Sequence, residues 1–148
     1  MDLASIIDAV FLRSIKLFFR FKKKSSHIEL GAWGEEMAAK ELKRRRFKIL
    51  YRNYRGPYGG ELDLICRDRE TLVFVEVKTR SSEEHSRPLD AVNRKKQKLI
   101  QRGALAWLRL LGLPDLTFRF DVVEVIASKP PKIRVIENAF GMPEYFRY

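Results

Sequence analysis

The sequence is short of the residues that build most small-protein sites. Its single cysteine, Cys66, excludes an internal disulfide framework and a cysteine zinc site. The two histidines, His27 and His85, stand too far apart for metal-ligand spacing. Acidic residues are few, with 19 Asp plus Glu against 30 Lys plus Arg, a net charge of +11 and a pI near 10.0. That balance favours a polyanionic partner, nucleic acid first and an anionic membrane second. No apolar run is long enough to span a bilayer, no signal-peptide cleavage pattern is evident, and no internal repeat or low-complexity tract interrupts the chain. A reducing, cytoplasmic setting is the economical expectation.

What is present suits one domain with a real core, since 148 residues with a hydrophobic fraction of 45% are too few for two comfortable domains. Residues 1–26 read as a separate amphipathic helix and linker. Leu3, Ile6, Ile7, Val10, Leu17, Phe18 and Phe21 recur at helical spacing, and Lys22-Lys23-Lys24-Ser25-Ser26 forms a basic stop. Such a helix is expected to dock on its own domain or another subunit; the alternative is peripheral membrane contact through residues 1–24.

The domain expected over 27–148 begins with a helix from about His27 to Arg46, its apolar stripe drawn from Leu30, Trp33, Met37, Ala38 and Leu42. Its basic end, Arg44-Arg45-Arg46, suits either the helix dipole or phosphate contact. A strand follows over Phe47–Tyr54, then a loop at Gly56–Gly60. Pro88 is expected to open a long helix to about Leu111, buried through Ala91, Val92, Leu99, Ile100, Ala104, Trp107 and Leu108. Strands over Phe118–Ile126 and Lys132–Glu137 complete an α/β domain with a mixed sheet.

The chemistry concentrates in residues 61–78. Glu61-Leu62-Asp63-Leu64-Ile65 and Leu72-Val73-Phe74-Val75-Glu76-Val77-Lys78 read as buried strands that nonetheless carry charge, which is costly unless the charge has a partner, a metal or a reaction. A hairpin turning at Arg69-Glu70 sets Asp63 directly opposite Glu76. Alternation sends Glu76 and Lys78 to that face and Val75 and Val77 to the other. Two carboxylates beside the Val77 backbone carbonyl offer hard oxygen ligands suited to Mg²⁺ or Mn²⁺. Lys78, two residues beyond a ligand, is placed to orient an attacking water. The structural alternative is an ordinary cross-strand ion pair of Asp63 or Glu76 with Lys78.

Five motifs then occur in one order: Gly34-Glu35, Arg52-Asn53-Tyr54-Arg55, Glu61-Leu62-Asp63-Leu64-Ile65, Phe74-Val75-Glu76-Val77-Lys78-Thr79-Arg80 and Asn138-Ala139-Phe140. Over about residues 28–140 the chain resembles the bacterial YraN family, uncharacterised proteins grouped with the PD-(D/E)xK nucleases and likened to Holliday junction resolvases. The resemblance implies a restriction-endonuclease-like core, a mixed central sheet flanked by helices, with the N-terminal amphipathic helix as an addition. It implies Asp63 and Glu76 as metal ligands, Lys78 as the catalytic lysine, and Glu35 as a helix-borne acidic residue supporting the site. Lys96 and Gln97 fall where related nucleases often carry a supporting polar residue, although a solvated helix face is the simpler expectation there. His85-Ser86-Arg87 departs from the family's glycine before Pro88.

The expected function is a magnesium-dependent nuclease acting on DNA, with branched or damaged structures as substrate. Arg44, Arg45, Arg46, Arg52, Arg55, Arg80, Arg94, Lys95, Lys96 and Lys98 are the candidate nucleic-acid contacts. A homodimer would suit a two-fold substrate. The alternatives are a catalytically silent nucleic-acid-binding module and an adaptor recruited to the membrane by its N-terminal helix.

Overall fold

The computed structural model describes residues 26–83 and 92–143. Helix α1 (Ser26–Arg44) leads into β1 (Lys48–Arg55), a short 3-10 turn at Pro57–Gly59, β2 (Glu61–Asp68) and β3 (Thr71–Arg80); α2 (Arg94–Leu110), β4 (Phe118–Ile126) and β5 (Lys132–Phe140) follow. The strands form one sheet in the order β1-β2-β3-β4-β5. Pairing is antiparallel throughout except between β3 and β4, whose parallel crossover contains α2. The expected α/β class with a mixed sheet is therefore present, in an arrangement consistent with a restriction-endonuclease-like core. The N-terminal helix expected over residues 1–26 and the His85-Ser86-Arg87 loop lie outside the described residues. No described helix is long and apolar enough to cross a membrane.

The sheet is buried on both faces. Leu62, Ile65, Leu72, Phe74, Phe120 and Val122 pack with Ile100, Ala104, Trp107 and Leu108 of α2. Leu64, Cys66, Val73, Val75, Val123 and Val125 pack with Ala38, Ala39 and Leu42 of α1. Two faces under cover explain why β3 reads as a nearly continuous apolar run. The α1 stripe is narrower than expected, because Leu30 is only half-buried and Trp33 is 36% exposed.

Two boundaries differ from expectation. Helix α2 starts at Arg94: Val92 and Asn93 are not helical, the Asn93 side chain accepts a 2.9 Å hydrogen bond from the Lys96 N–H, and the expected start at Pro88, with Ala91, lies outside the described residues. Asparagine caps a helix by satisfying a first-turn N–H, and that local bond sets the start. Strand β5 runs to Phe140, three residues beyond Glu137. A register shift between Phe120 and Val122 accommodates Asn138 at φ 50, and the Asn138 N–H donates to buried Asp121 at 2.9 Å. Phe140 then stacks on Phe120, with ring centroids 4.9 Å apart. The Asn138-Ala139-Phe140 motif thus shapes the sheet edge.

Candidate active site at the parting of two central strands

The hairpin pairs Asp68 with Thr71 and turns at Arg69-Glu70, with Arg69 at φ 53. Pairing of β2 with β3 runs from there to Leu64–Val75 and stops. Beyond that point β2 continues against β1 to Glu61, and β3 continues against β4 to Arg80. The two central strands part, and strict alternation breaks with them: Leu62 and Ile65 pack on the α2 face while Leu64 and Cys66 pack on the α1 face. An opening of this kind strands ladder groups that must find other partners. Asp63 supplies one, its Oδ2 accepting from the Val77 N–H at 2.7 Å.

Asp63 and Glu76 meet in that opening. Glu76 is 6% exposed, and its Oε2 is buried without a hydrogen-bond partner. The two carboxyls lie close enough to interact directly, and burial together with the neighbouring Asp63 charge pushes Glu76 up to about 8. Burial likewise raises Asp63, against the lowering effect of the Val77 N–H. Both protein-imposed shifts disfavour two bare charges side by side. They line a pocket of about 270 Å³ together with Glu35, Val77, Lys78 and Thr79.

Each wall has an identifiable cause. Glu35 arrives because α1 approaches β3 closely: a Cβ on Gly34 would fall inside the Thr79 side chain. From the other face, the Gly60 loop presses on α2, where a Cβ on Gly60 would come within 2.5 Å of the Gly103 nitrogen. That contact holds α2 so that Lys96 reaches the site. The Lys96 ammonium donates to Glu61 and lies 3.2 Å from Glu76 Oε1. Burial pulls Lys96 down, but the bond to Glu61 and the charges of Glu76 and Asp63 outweigh it and leave its pKa raised. The same bond holds Glu61 below the usual carboxylate range.

Of the two positions that the resemblance marks for a supporting polar residue, Lys96 reaches the carboxylates, against the simpler expectation of a solvated face. Within the run Arg94-Lys95-Lys96-Gln97-Lys98 only helical phase singles it out. Gln97 does not face the carboxylates; its amide donates to the Val92 carbonyl at 2.9 Å. Lys78 is exposed and forms no ion pair with Asp63 or Glu76 among the described residues, so the cross-strand alternative does not describe it.

The other basic candidates divide. Arg44 and Arg45 are held by Glu41, at 2.8 Å each, and Arg52 by Glu36 at 2.7 Å. Arg80 pairs with buried Glu124 at 3.0 Å, and Arg55 lies 3.5 Å from Glu61. Arg46, Arg94, Lys95 and Lys98 are exposed and carry no carboxylate partner among the described residues.

The donor set fits a hard divalent cation. Asp63 and Glu76 bring carboxylate oxygens, one of them buried without a donor, and Val77 lines the same pocket. No three His, Cys, Asp or Glu side chains among the described residues are grouped to hold a metal by themselves, so backbone or solvent oxygens would complete the set.

The chain matches the uncharacterised protein family UPF0102 over residues 34–125. It is 47% identical over 115 residues to a UPF0102 protein of Geobacter sulfurreducens, covering 76% of this chain and 89% of that relative. A UPF0102 protein of Geobacter metallireducens is 46% identical over 114 residues, covering 76% and 93%. One from Alkaliphilus oremlandii is 45% identical over 115 residues, covering 76% and 97%. The chain belongs to the UPF0102 family, the family its motifs resemble.

Proposed function

We propose that this UPF0102 protein is a metal-dependent nuclease that hydrolyses DNA phosphodiester bonds. The observation that carries the reading is the pairing of half-buried Asp63 with buried Glu76, whose Oε2 lacks a hydrogen-bond donor. Burying two like charges together costs several kcal/mol per ion unless something compensates them. A divalent cation between them removes that cost.

Mg²⁺ or Mn²⁺ would be held by Asp63, Glu76 and the Val77 carbonyl. When bound, it would polarise a phosphate oxygen and lower the pKa of a water molecule. The chain's own residues do the rest. Lys78 extends its ammonium at the pocket mouth, where it orients a phosphate and offsets charge developing on it. Lys96 holds the Glu76 carboxylate from behind. Glu35 supports the site from α1. Selectivity by DNA shape follows from the lack of any base-reading motif, and branched or damaged DNA is the substrate class we assign.

One observation favours a second reading, a silent nucleic-acid-binding module. Lys96 already neutralises part of the Glu61–Glu76 charge, as a purely structural ion cluster would. A single experiment separates the two. Labelled duplex, single-stranded, flapped and four-way DNA are incubated with the protein in Mg²⁺, Mn²⁺ or EDTA, beside Glu76→Ala and Lys78→Ala. Cutting that needs metal and disappears in both variants is expected. Binding without cutting in every condition selects the silent module.

A further inference from the structure

We propose that the outer face of α2 and the Tyr58 loop form a track for single-stranded DNA, with an unpaired base stacked on Tyr58. The inference goes beyond the nuclease reading, because this surface lies on the side of α2 turned away from the carboxylates.

Tyr58 is 88% exposed, the most exposed of the large hydrophobic side chains among the described residues. It is held outward by a left-handed backbone (φ 62, ψ 26), a conformation uncommon for an aromatic residue and worth explaining. Its ring borders a groove of about 350 Å³ between the 3-10 turn and α2, whose apolar walls include Pro57, Leu105 and Ala106. Arg102 and Arg109 stand at the same groove. A flat apolar slot with guanidinium groups at its rim suits a nucleobase joined to phosphates.

The charges beyond the groove continue the pattern. At 100° per residue, Arg94, Lys98, Arg102, Leu105 and Arg109 fall in one stripe of α2. The four basic residues are exposed and unpaired with carboxylates among the described residues. The stripe spans about 22 Å at 1.5 Å per residue. The far end of the stripe adjoins Tyr58, whereas Lys96, which touches Glu76, lies on the opposite, sheet-facing side of the helix. Loop and helix cannot drift apart, since Gly60 packs on Gly103.

The platform discriminates by physics. A duplex offers phosphates to the cations but keeps its base faces stacked inside, whereas an unpaired strand can lay a base on the ring. Tyr58 is so exposed that its replacement leaves the core untouched.

The test is fluorescence anisotropy of the full chain in EDTA with an oligothymidine of about 12 nucleotides and a blunt duplex of equal length. Tyr58→Ala is expected to weaken single-strand binding about tenfold and leave duplex binding within twofold, while Tyr58→Trp restores the single-strand affinity. An unchanged single-strand affinity in Tyr58→Ala, or an equal loss on both DNAs, overturns the proposal, as does failure of the unmodified protein to bind the oligothymidine. Because EDTA removes any cleavage, a protein that binds this way yet never cuts refutes only the nuclease reading.

Discussion

Replacing Glu76 by Gln should stabilise the metal-free protein at pH 8 and do progressively less as the pH is lowered to 5. The side chain is 6% exposed, so Gln keeps its volume inside the site while removing its charge. Burial and the adjacent Asp63 raise Glu76 from its ordinary 4.5 to about 8. A carboxyl raised in the folded state contributes stability that is complete below the unfolded value and is lost as pH rises through the folded one. Between pH 5 and pH 8 the unmodified protein should therefore lose ~3 kcal/mol at this residue. The Gln variant has nothing to ionise there and should show a nearly flat profile. It forfeits the charge attraction to Lys96, but that ammonium keeps its bond to Glu61. Urea unfolding in EDTA at fixed ionic strength, repeated across this range, reads the effect. Adding Mg²⁺ at tenfold its dissociation constant should return ~1.4 kcal/mol to the unmodified protein at pH 8 and little to the variant. Parallel pH profiles for the two proteins would refute the reasoning, because the carboxylate would then carry no burial cost for a cation to relieve.

Lys78→Ala should lower metal-dependent cleavage by about 10²–10³ with unfolding midpoint unchanged, since the side chain is exposed and supports no ion pair; a turnover assay beside a denaturation curve checks both halves. Lys96→Met in EDTA should cost ~2 kcal/mol at pH 8 by leaving Glu61 and Glu76 uncompensated, and Mg²⁺ should recover more stability in it than in the parent. A Met variant as stable as the parent at that pH would show that the ammonium is incidental. Gly34→Ala should destabilise by ~1–3 kcal/mol, because its Cβ would collide with Thr79 and lever α1 off β3. Cleavage should fall with it as Glu35 moves away, so intact activity in a folded variant would separate Glu35 from the site.

The hairpin was legible because three local signals agree on it. A polar connection at Arg67–Thr71, apolar alternation on both sides and charges at matching distances from the turn admit one register, and the observed Asp68–Thr71 closure is that register. The helices were harder. Proline is a strong start signal, but the described helix begins at Arg94, where Asn93 offers a side-chain oxygen at the right distance. The placing of a helix start does not change the phase of its apolar stripe, which is why Ile100, Ala104, Trp107 and Leu108 are expected inside and found there. What no local pattern carries is a contact between distant motifs. Gly34 and Thr79 sit 45 residues apart, and Lys96 lies 35 residues from Glu61. Their residue types are common, and only the assembled sheet gives them meaning.

The distribution of charge supplies the strongest reason to look for a cation here. The chain as a whole is at +11, a composition suited to holding a polyanion. A binding surface alone would gain by removing carboxylates from wherever the polyanion lies. Instead Glu35, Asp63 and Glu76 face one pocket, accompanied there by the single ammonium of Lys78. Ionised together, Asp63 and Glu76 would repel the ligand that the exterior attracts. Lys96 relieves only part of it, from behind the sheet opening, and leaves Glu76 Oε2 without a donor. A divalent ion would resolve the conflict, compensating the carboxylates and presenting positive charge to a phosphate at the same point. The parting of β2 from β3 is what makes room for it: an unbroken ladder would have paired the Val77 N–H with backbone, and Asp63 would have had no reason to turn into the gap.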